Sequence, residues 1–271
     1  MPEGPVTTRA RAVLAANPGP MTLEGTNTWL LAEPGAARCV VLDPGPRDDA
    51  HTDRVVSAAE SAGQAIALVL LTHGHPDHSG GARALAERVG APVRALDPRH
   101  RLGDEGLADG DVVAVDGLEL RALATPGHSA DHICLVLPAD DAVLTGDHVL
   151  GRGTSVVAHP DGRMRDYLDS LRRLADVGAT TLLPGHGPVV DNAAEVIAYY
   201  LAHRAEREAQ VVAALRAGGA QTPRELVERV YTDVAGHLHG AAELSVRALL
   251  EMLVESGSVD VDVDGRHRLV G

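Results

Sequence analysis

The chain has no lysine and no phenylalanine, two cysteines and one tryptophan, and only 2% of its 271 residues are aromatic. Every fixed positive charge is therefore an arginine. With 24 such residues against 38 acids the net charge is −14. That balance favours solubility and gives no broad attraction to nucleic acid, although it leaves room for a small local arginine patch. Two cysteines exclude a disulfide scaffold. Cys39 and Cys134 sit in apolar, strand-like runs and read as buried, reduced thiols. No apolar run is long enough to span a membrane, and Met1 to Pro5 carry no apolar signal region, so a cytoplasmic protein is expected. What is present is a 45% hydrophobic chain, enough for one substantial core and a second small domain.

Apolar patterning predicts strands over 27–32 and 39–43, a helix over 48–62, and a buried strand over 65–71 (AIALVLL). A helix over 79–89 follows, then strands near 111–115, 118–124, 132–137 and 141–146, a helix over 163–177 and a short strand over 180–183. From about residue 191 the pattern turns to long helices. Thr222-Pro223-Arg224-Glu225 has the form of a helix start, with Thr at the cap, Pro at the first helical position and Glu three beyond the cap. After a helix over 241–256, two short strands flank Asp264-Gly265, a hairpin signal. Three helices and a hairpin resemble a winged helix. The expected division is 1–200 for a catalytic domain and 201–271 for a winged-helix-like domain.

The chemistry is concentrated where a buried strand ends. His73-Gly74-His75-Pro76-Asp77-His78 puts three imidazoles and a carboxylate within six residues. A core has no use for such a cluster, since each ring would need its own polar partner. On a loop, imidazole and carboxylate ligands suit zinc, iron or manganese. Three later strand ends each add one candidate on a glycine-containing turn: His128, Asp147 and His186. Each is weak alone; in this order, after the first cluster, they form one pattern.

That pattern resembles the metallo-β-lactamase fold superfamily, with Asp43 (Leu42-Asp43-Pro44-Gly45) as its first motif, His73 to His78 as the second, and His128, Asp147 and His186 as the third to fifth. The resemblance implies an α/β (α+β) fold, a four-layer αββα sandwich. It also implies two divalent metal ions, expected to be zinc with manganese or iron as alternatives. One ion would sit on His73, His75 and His128 and the other on Asp77, His78 and His186, with Asp147 bridging and Asp43 behind, orienting a ligand. Position 75 is His, where flavodiiron oxygen reductases carry Glu, and position 147 is Asp, so the β-lactamases with Cys there have no match. Within the superfamily the loop Asn17 to Leu30 (NPGPMTLEGTNTWL) and the winged-helix-like end resemble the β-lactamase-like protein 2 group.

The resemblance implies a hydrolase in which two cations lower the pKa of a water and so supply hydroxide near neutral pH. Asp77 is a candidate proton acceptor as well as a ligand, and His159 and His132 are candidate proton donors to the leaving group. Thr26, Asn27 and Thr28 are candidate substrate-pocket residues, and Trp29 is expected in the core or at the rim. Three functions compete. The group includes an endoribonuclease acting on single-stranded RNA. Its relatives include thioesterases, and the Thr72–Gly81 loop is glyoxalase-II-like, which favours a small-molecule ester or thioester. The third is a winged-helix nucleic-acid-binding regulator. From residue 205 onward seven arginines face eleven acids, which argues against DNA binding. A mononuclear iron sulfur dioxygenase is a further alternative. Oligomeric state is left open.

Overall fold

The computed structural model describes residues 4–270, which divide into two compact units. The first comprises Met1–Thr125, Asp131–Gly153 and Gly178–Ala194. It contains a six-stranded sheet, in spatial order Gly4–Pro5, Ala10–Leu14, Asn27–Leu31, Arg38–Leu42, Ala65–Leu70 and Val93–Arg94. A five-stranded sheet runs Thr181–Pro184, Ala142–Gly146, Ile133–Leu137, Leu118–Ala124 and Val112–Val115. Alternation along the strands gives each sheet an apolar face. Trp29, Leu31, Val40, Leu42, Leu68 and Leu70 of the first sheet share one core with Leu118, Leu120, Ile133, Leu135, Leu144 and Leu183 of the second. The other face of the first sheet (Leu30, Cys39, Val41, Val69) is covered by the helices Asp49–Ser61 and Ala82–Val89 through Val55, Ala59, Leu85 and Ala86. Both cysteines are buried free thiols, and Trp29 lies within this core.

Parallel pairing delivers the motif residues to one edge. Arg38–Leu42 runs parallel to Ala65–Leu70, with Leu42 opposite Leu70, so Asp43 and the Thr72–His78 loop leave the sheet side by side. Ala142–Gly146 runs parallel to Thr181–Pro184, with Gly146 opposite Pro184, which does the same for Asp147 and His186. Backbone bonds join the two sheets here, from Ile133 N to Thr72 O at 2.8 Å and from Asn27 N to Gly185 O at 2.7 Å. The strand Ala10–Leu14 was not expected: Ala-Arg-Ala-Val-Leu has little β-branched content, and its pairing with Asn27–Leu31 makes it one.

The second unit comprises Pro126–Ala130, Thr154–Val177 and Glu195–Gly271. A cut after residue 200 passes inside the helix Ala193–Gly218. The helix Met164–Val177 packs against His239–Glu255, where Arg163 pairs with Glu251 and Glu255. The helix Pro223–Val230 begins with the expected capping box of Thr222 and Glu225. Val259–Val261 and His267–Leu269 pair as the terminal hairpin. Its connection is longer than a two-residue turn, because Asp262 accepts from the backbone N–H of both Asp264 and Arg266 and holds a wider loop. Among the described residues no helix is long and apolar enough to cross a membrane.

Candidate metal centre

In the first unit Asp77, His78, Asp147 and His186 converge on one point. His186 Nε2 lies 3.1 Å from Asp77 Oδ2, 3.4 Å from Asp147 Oδ1 and 3.2 Å from His78 Nε2. His78 Nε2 is 3.3 Å from Asp147 Oδ1 and 3.6 Å from Asp77 Oδ2. Ligand atoms at about 2.0–2.1 Å from a tetrahedral ion are separated by about 3.3–3.4 Å. The four side chains thus fit a divalent cation. Close packing of glycines permits the approach: a Cβ on Gly185 would stand 2.6 Å from His78 Cε1 and 2.8 Å from Asp147 Oδ1.

Hydrogen bonds select the ligand nitrogen of each ring. His186 Nδ1 donates to the Gly25 carbonyl at 3.1 Å, and His78 Nδ1 donates to Asp43 Oδ2 at 2.9 Å, so both rings present Nε2. Thr72 donates its only hydroxyl proton to Asp43 Oδ2 at 2.7 Å and therefore accepts from His73 Nδ1 at 3.0 Å. His73 likewise presents Nε2. The Thr72 amide donates to Asp43 Oδ1 at 2.8 Å. One buried carboxylate thus aims His78 directly and His73 through Thr72, the outer support that ligating imidazoles require. His73 and His75 lie together, with ring centroids 4.5 Å apart, on the same side of the loop. His128 belongs to the second unit, where its Nδ1 donates to the Val156 carbonyl at 2.8 Å, and this ring too presents Nε2.

Electrostatics mark the cluster as a place built for positive charge. Burial opposes ionisation of His78, yet Asp147 and Asp43 hold its proton on well above the usual imidazole range. Burial also opposes His186, and Asp147 and Asp77 outweigh it and hold that ring up at about 9. Burial would raise Asp147, but the two rings keep it well below the usual carboxylate range. Asp77 is lowered for the same reasons, by His186 and His78 against burial. The carboxylates that favour a proton on these rings would favour a cation in the same place.

Other expected site residues are placed differently. Thr26, Asn27 and Thr28 are fully buried. Thr26 is held by Asn17, Asn27 donates to the carbonyls of Pro184 and Gly187, and Thr28 donates to the Asp43 carbonyl. The side chains of Asn27 and Thr28 thus satisfy backbone carbonyls beside the centre, and the Thr26 hydroxyl accepts from the Asn17 side chain. His132 is also fully buried. Its Nε2 accepts from the Asp147 amide at 3.2 Å and its Nδ1 faces Thr125 Oγ1 at 2.9 Å, so it fixes the Asp147 turn and has no nitrogen to offer a leaving group. His159, in the second unit, is one third exposed, with Nε2 3.9 Å from Glu251. Thr72 was missed: a threonine ahead of a histidine carries no spacing signal.

A sequence profile described as "Metallo-beta-lactamase superfamily" matches residues 21–186, more than half of the chain. The chain belongs to the metallo-beta-lactamase superfamily. A second profile, "Beta-lactamase associated winged helix domain", matches 222–266. The chain is 35% identical over 259 residues to a "Beta-lactamase-like protein 2 homolog" of Caenorhabditis elegans, covering 92% of this chain and 85% of that protein. It is 35% identical over 238 residues to the "Atrochrysone carboxyl ACP thioesterase" of Aspergillus fumigatus, covering 82% and 73%. A crystal structure of a metallo-beta-lactamase family protein from Thermus thermophilus superposes with a TM-score of 0.81 at 24% identity, over 96% of this chain and 98% of that one. A metallo-beta-lactamase-fold structure in a di-iron-bound form superposes with a TM-score of 0.55 at 27% identity, over 68% and 96%. The α/β sandwich with a C-terminal winged helix and the hydrolytic class are those of the superfamily.

Proposed function

We propose that the chain hydrolyses an acyl thioester or ester with two divalent ions. One would be held by Asp77, His78, Asp147 and His186, and the other by His73, His75 and His128 with Asp147 shared. The convergence of four ligand atoms at separations of 3.1–3.6 Å carries the reading. The assignment of His128 rests on its place in the family motif order and on a ring that presents Nε2. Ions so held supply Lewis acidity, making water more acidic and stabilising developing negative charge. Asp77, half-buried and held ionised, is the candidate proton acceptor as well as a ligand, and His159 is the candidate donor to the leaving group. An imidazole and carboxylate set suits zinc, with iron and manganese as alternatives.

The thioester class is favoured by the relative named as a thioesterase and by the acidic surface. It is also favoured by the arginines of the winged helix, of which Arg207, Arg224, Arg247, Arg266 and Arg268 each pair with a carboxylate of their own unit. A phosphate-gripping surface keeps such charges for its ligand. Single-strand RNA cleavage is the competing reading. Metal-loaded protein is assayed on acyl thioesters and on single-stranded RNA side by side, with Asp77→Ala as control. Thioester turnover lost in the variant is expected. Metal-dependent RNA cleavage with no thioester turnover overturns the substrate class, and the metal content of active protein identifies the ions.

A further inference from the structure

We propose that His51 and Arg54 are positioning residues for the metal centre, acting through Thr28 on the Asp43 turn. The inference rests on the reading of His78 and His73 as metal ligands. Both residues lie on the helix Asp49–Ser61, three positions apart and so on one face. His51 is fully buried and belongs to no ligand cluster.

The direction of each hydrogen bond follows from its neighbours. Thr28 Oγ1 is 2.7 Å from the Asp43 carbonyl and 2.8 Å from His51 Nε2. A carbonyl only accepts, so the single hydroxyl proton goes to Asp43, and Thr28 must accept from His51. His51 is thereby fixed as the tautomer with its proton on Nε2. Its bare Nδ1 faces Arg54 Nη2 at 3.1 Å, a group that can only donate. Arg54 Nη2 also donates to the Leu14 carbonyl at 2.8 Å, which anchors it to the neighbouring strand. Burial and the adjacent Arg54 cation push His51 down to about 4, so the ring is neutral at working pH.

The chain of bonds ends on a strained turn. Asp43 has φ 51°, a left-handed conformation that is unfavourable for a non-glycine residue and persists only where surroundings enforce it. Its amide donates to Leu70 O at 3.0 Å, and Thr28 holds its carbonyl. Gly45, two residues on, has φ 84°, and a Cβ there would stand 2.8 Å from His51 Cδ2, so the imidazole forms the floor of the turn. Gly45 N in turn donates to His78 O at 3.1 Å. If the floor is removed, the turn can relax toward ordinary φ, and the Asp43 carboxylate swings away from His78 Nδ1 and Thr72.

The test begins with metal-free protein carrying 15N-histidine. Long-range proton–nitrogen spectra, assigned with His51→Gln, should show His51 as the neutral Nε2–H form at pH 7, and Arg54→Ala should shift the Nδ1 resonance while the Nε2–H form persists. The second measurement is metal loss to excess chelator from loaded protein. Removal of an outer partner of a metal ligand typically changes affinity by 10–100-fold. His51→Leu, one step further out, should speed loss by about tenfold, the low end of that range. His51→Gln, which restores a donor to Thr28, should recover most of it. A wild-type ring protonated on Nδ1, or a folded His51→Leu protein with wild-type metal loss, overturns the proposal. If His51→Leu does not fold, Thr28→Val, which keeps the side-chain shape and removes the hydroxyl that links His51 to the Asp43 carbonyl, decides: wild-type metal loss refutes the relay and faster loss supports it. A wild-type chain that takes up no metal overturns the metal-site reading instead, and the metal-free tautomer still tests the relay to Asp43.

Discussion

Metal uptake by this protein should expel protons at a pH where ordinary histidines have none to give. In the metal-free state His186 holds its proton up to about 9 and His78 is raised well above the ordinary 6.5. At pH 8 a group with a pKa near 9 is about nine-tenths protonated, whereas one at 6.5 is only a few per cent protonated. Both rings must present a bare Nε2 to bind a cation, so loading at pH 8 should release the proton that His186 holds, with His78 adding to it. Asp77 and Asp147 are already ionised and release none. Apparent affinity should then rise by about tenfold or more per pH unit between pH 7 and 8, because its logarithm changes by one for each proton displaced. Titration calorimetry at pH 8 in buffers of different ionisation enthalpy counts the protons, and chelator competition across pH gives the slope. Release near zero at pH 8, with affinity flat from pH 7 to 8, would refute the assignment of protons to the cluster. Stability follows with its own sign. His186 is raised above its unfolded value, so its contribution to the metal-free protein is complete below about pH 6.5 and is lost as pH rises through about 9. Metal-free protein should therefore melt at lower temperature at pH 9.5 than at pH 6.5. Loaded protein, whose rings carry no proton to lose, should show a smaller drop.

Other substitutions probe single links. Asp43→Ala removes the acceptor shared by Thr72 and His78 and should weaken metal binding by 10–100-fold, measured by chelator competition; wild-type affinity would show that the rings orient themselves. Trp29→Ala empties a fully buried site in the shared core and strips the indole bond to the Pro184 carbonyl, so urea denaturation should show a loss of about 3–5 kcal/mol. A loss below about 1 kcal/mol would mean that the sheets repack freely. Gly127→Ala places a Cβ 2.3 Å from the Tyr167 backbone at φ 134°, so the second unit should lose cooperative melting, whereas Gly178→Ala, strained in φ but open in space, should remain folded.

The ligand order was legible in the sequence because the chemistry is local: each motif residue follows a strand end, and glycine marks each turn. The strands Arg38–Leu42 and Ala65–Leu70 were legible because burial on both faces leaves continuous apolar runs. Long-range effects were not. Thr26 to Thr28 look like loop residues open to substrate, and only the folded chain shows that Asn27 and Thr28 serve backbone carbonyls while Thr26 is tied to Asn17. His51 and Arg54 look like surface helix residues, since nothing in their spacing tells that Thr28 lies opposite. His132 reads as a proton donor to the leaving group until the Asp147 amide is seen to occupy its Nε2. The second unit gathers 126–130 and 154–177 with the C-terminal helices, a grouping that no shift in composition announces.

Anomalous diffraction from crystals of metal-loaded protein tests the two-metal account most directly. The account predicts two peaks per chain. One should lie among Asp77 Oδ2, His78 Nε2, Asp147 and His186 Nε2, and the other on His73 Nε2, His75 and His128 Nε2, with Asp147 touching both. A single peak, or peaks away from these side chains in catalytically active crystals, would contradict it.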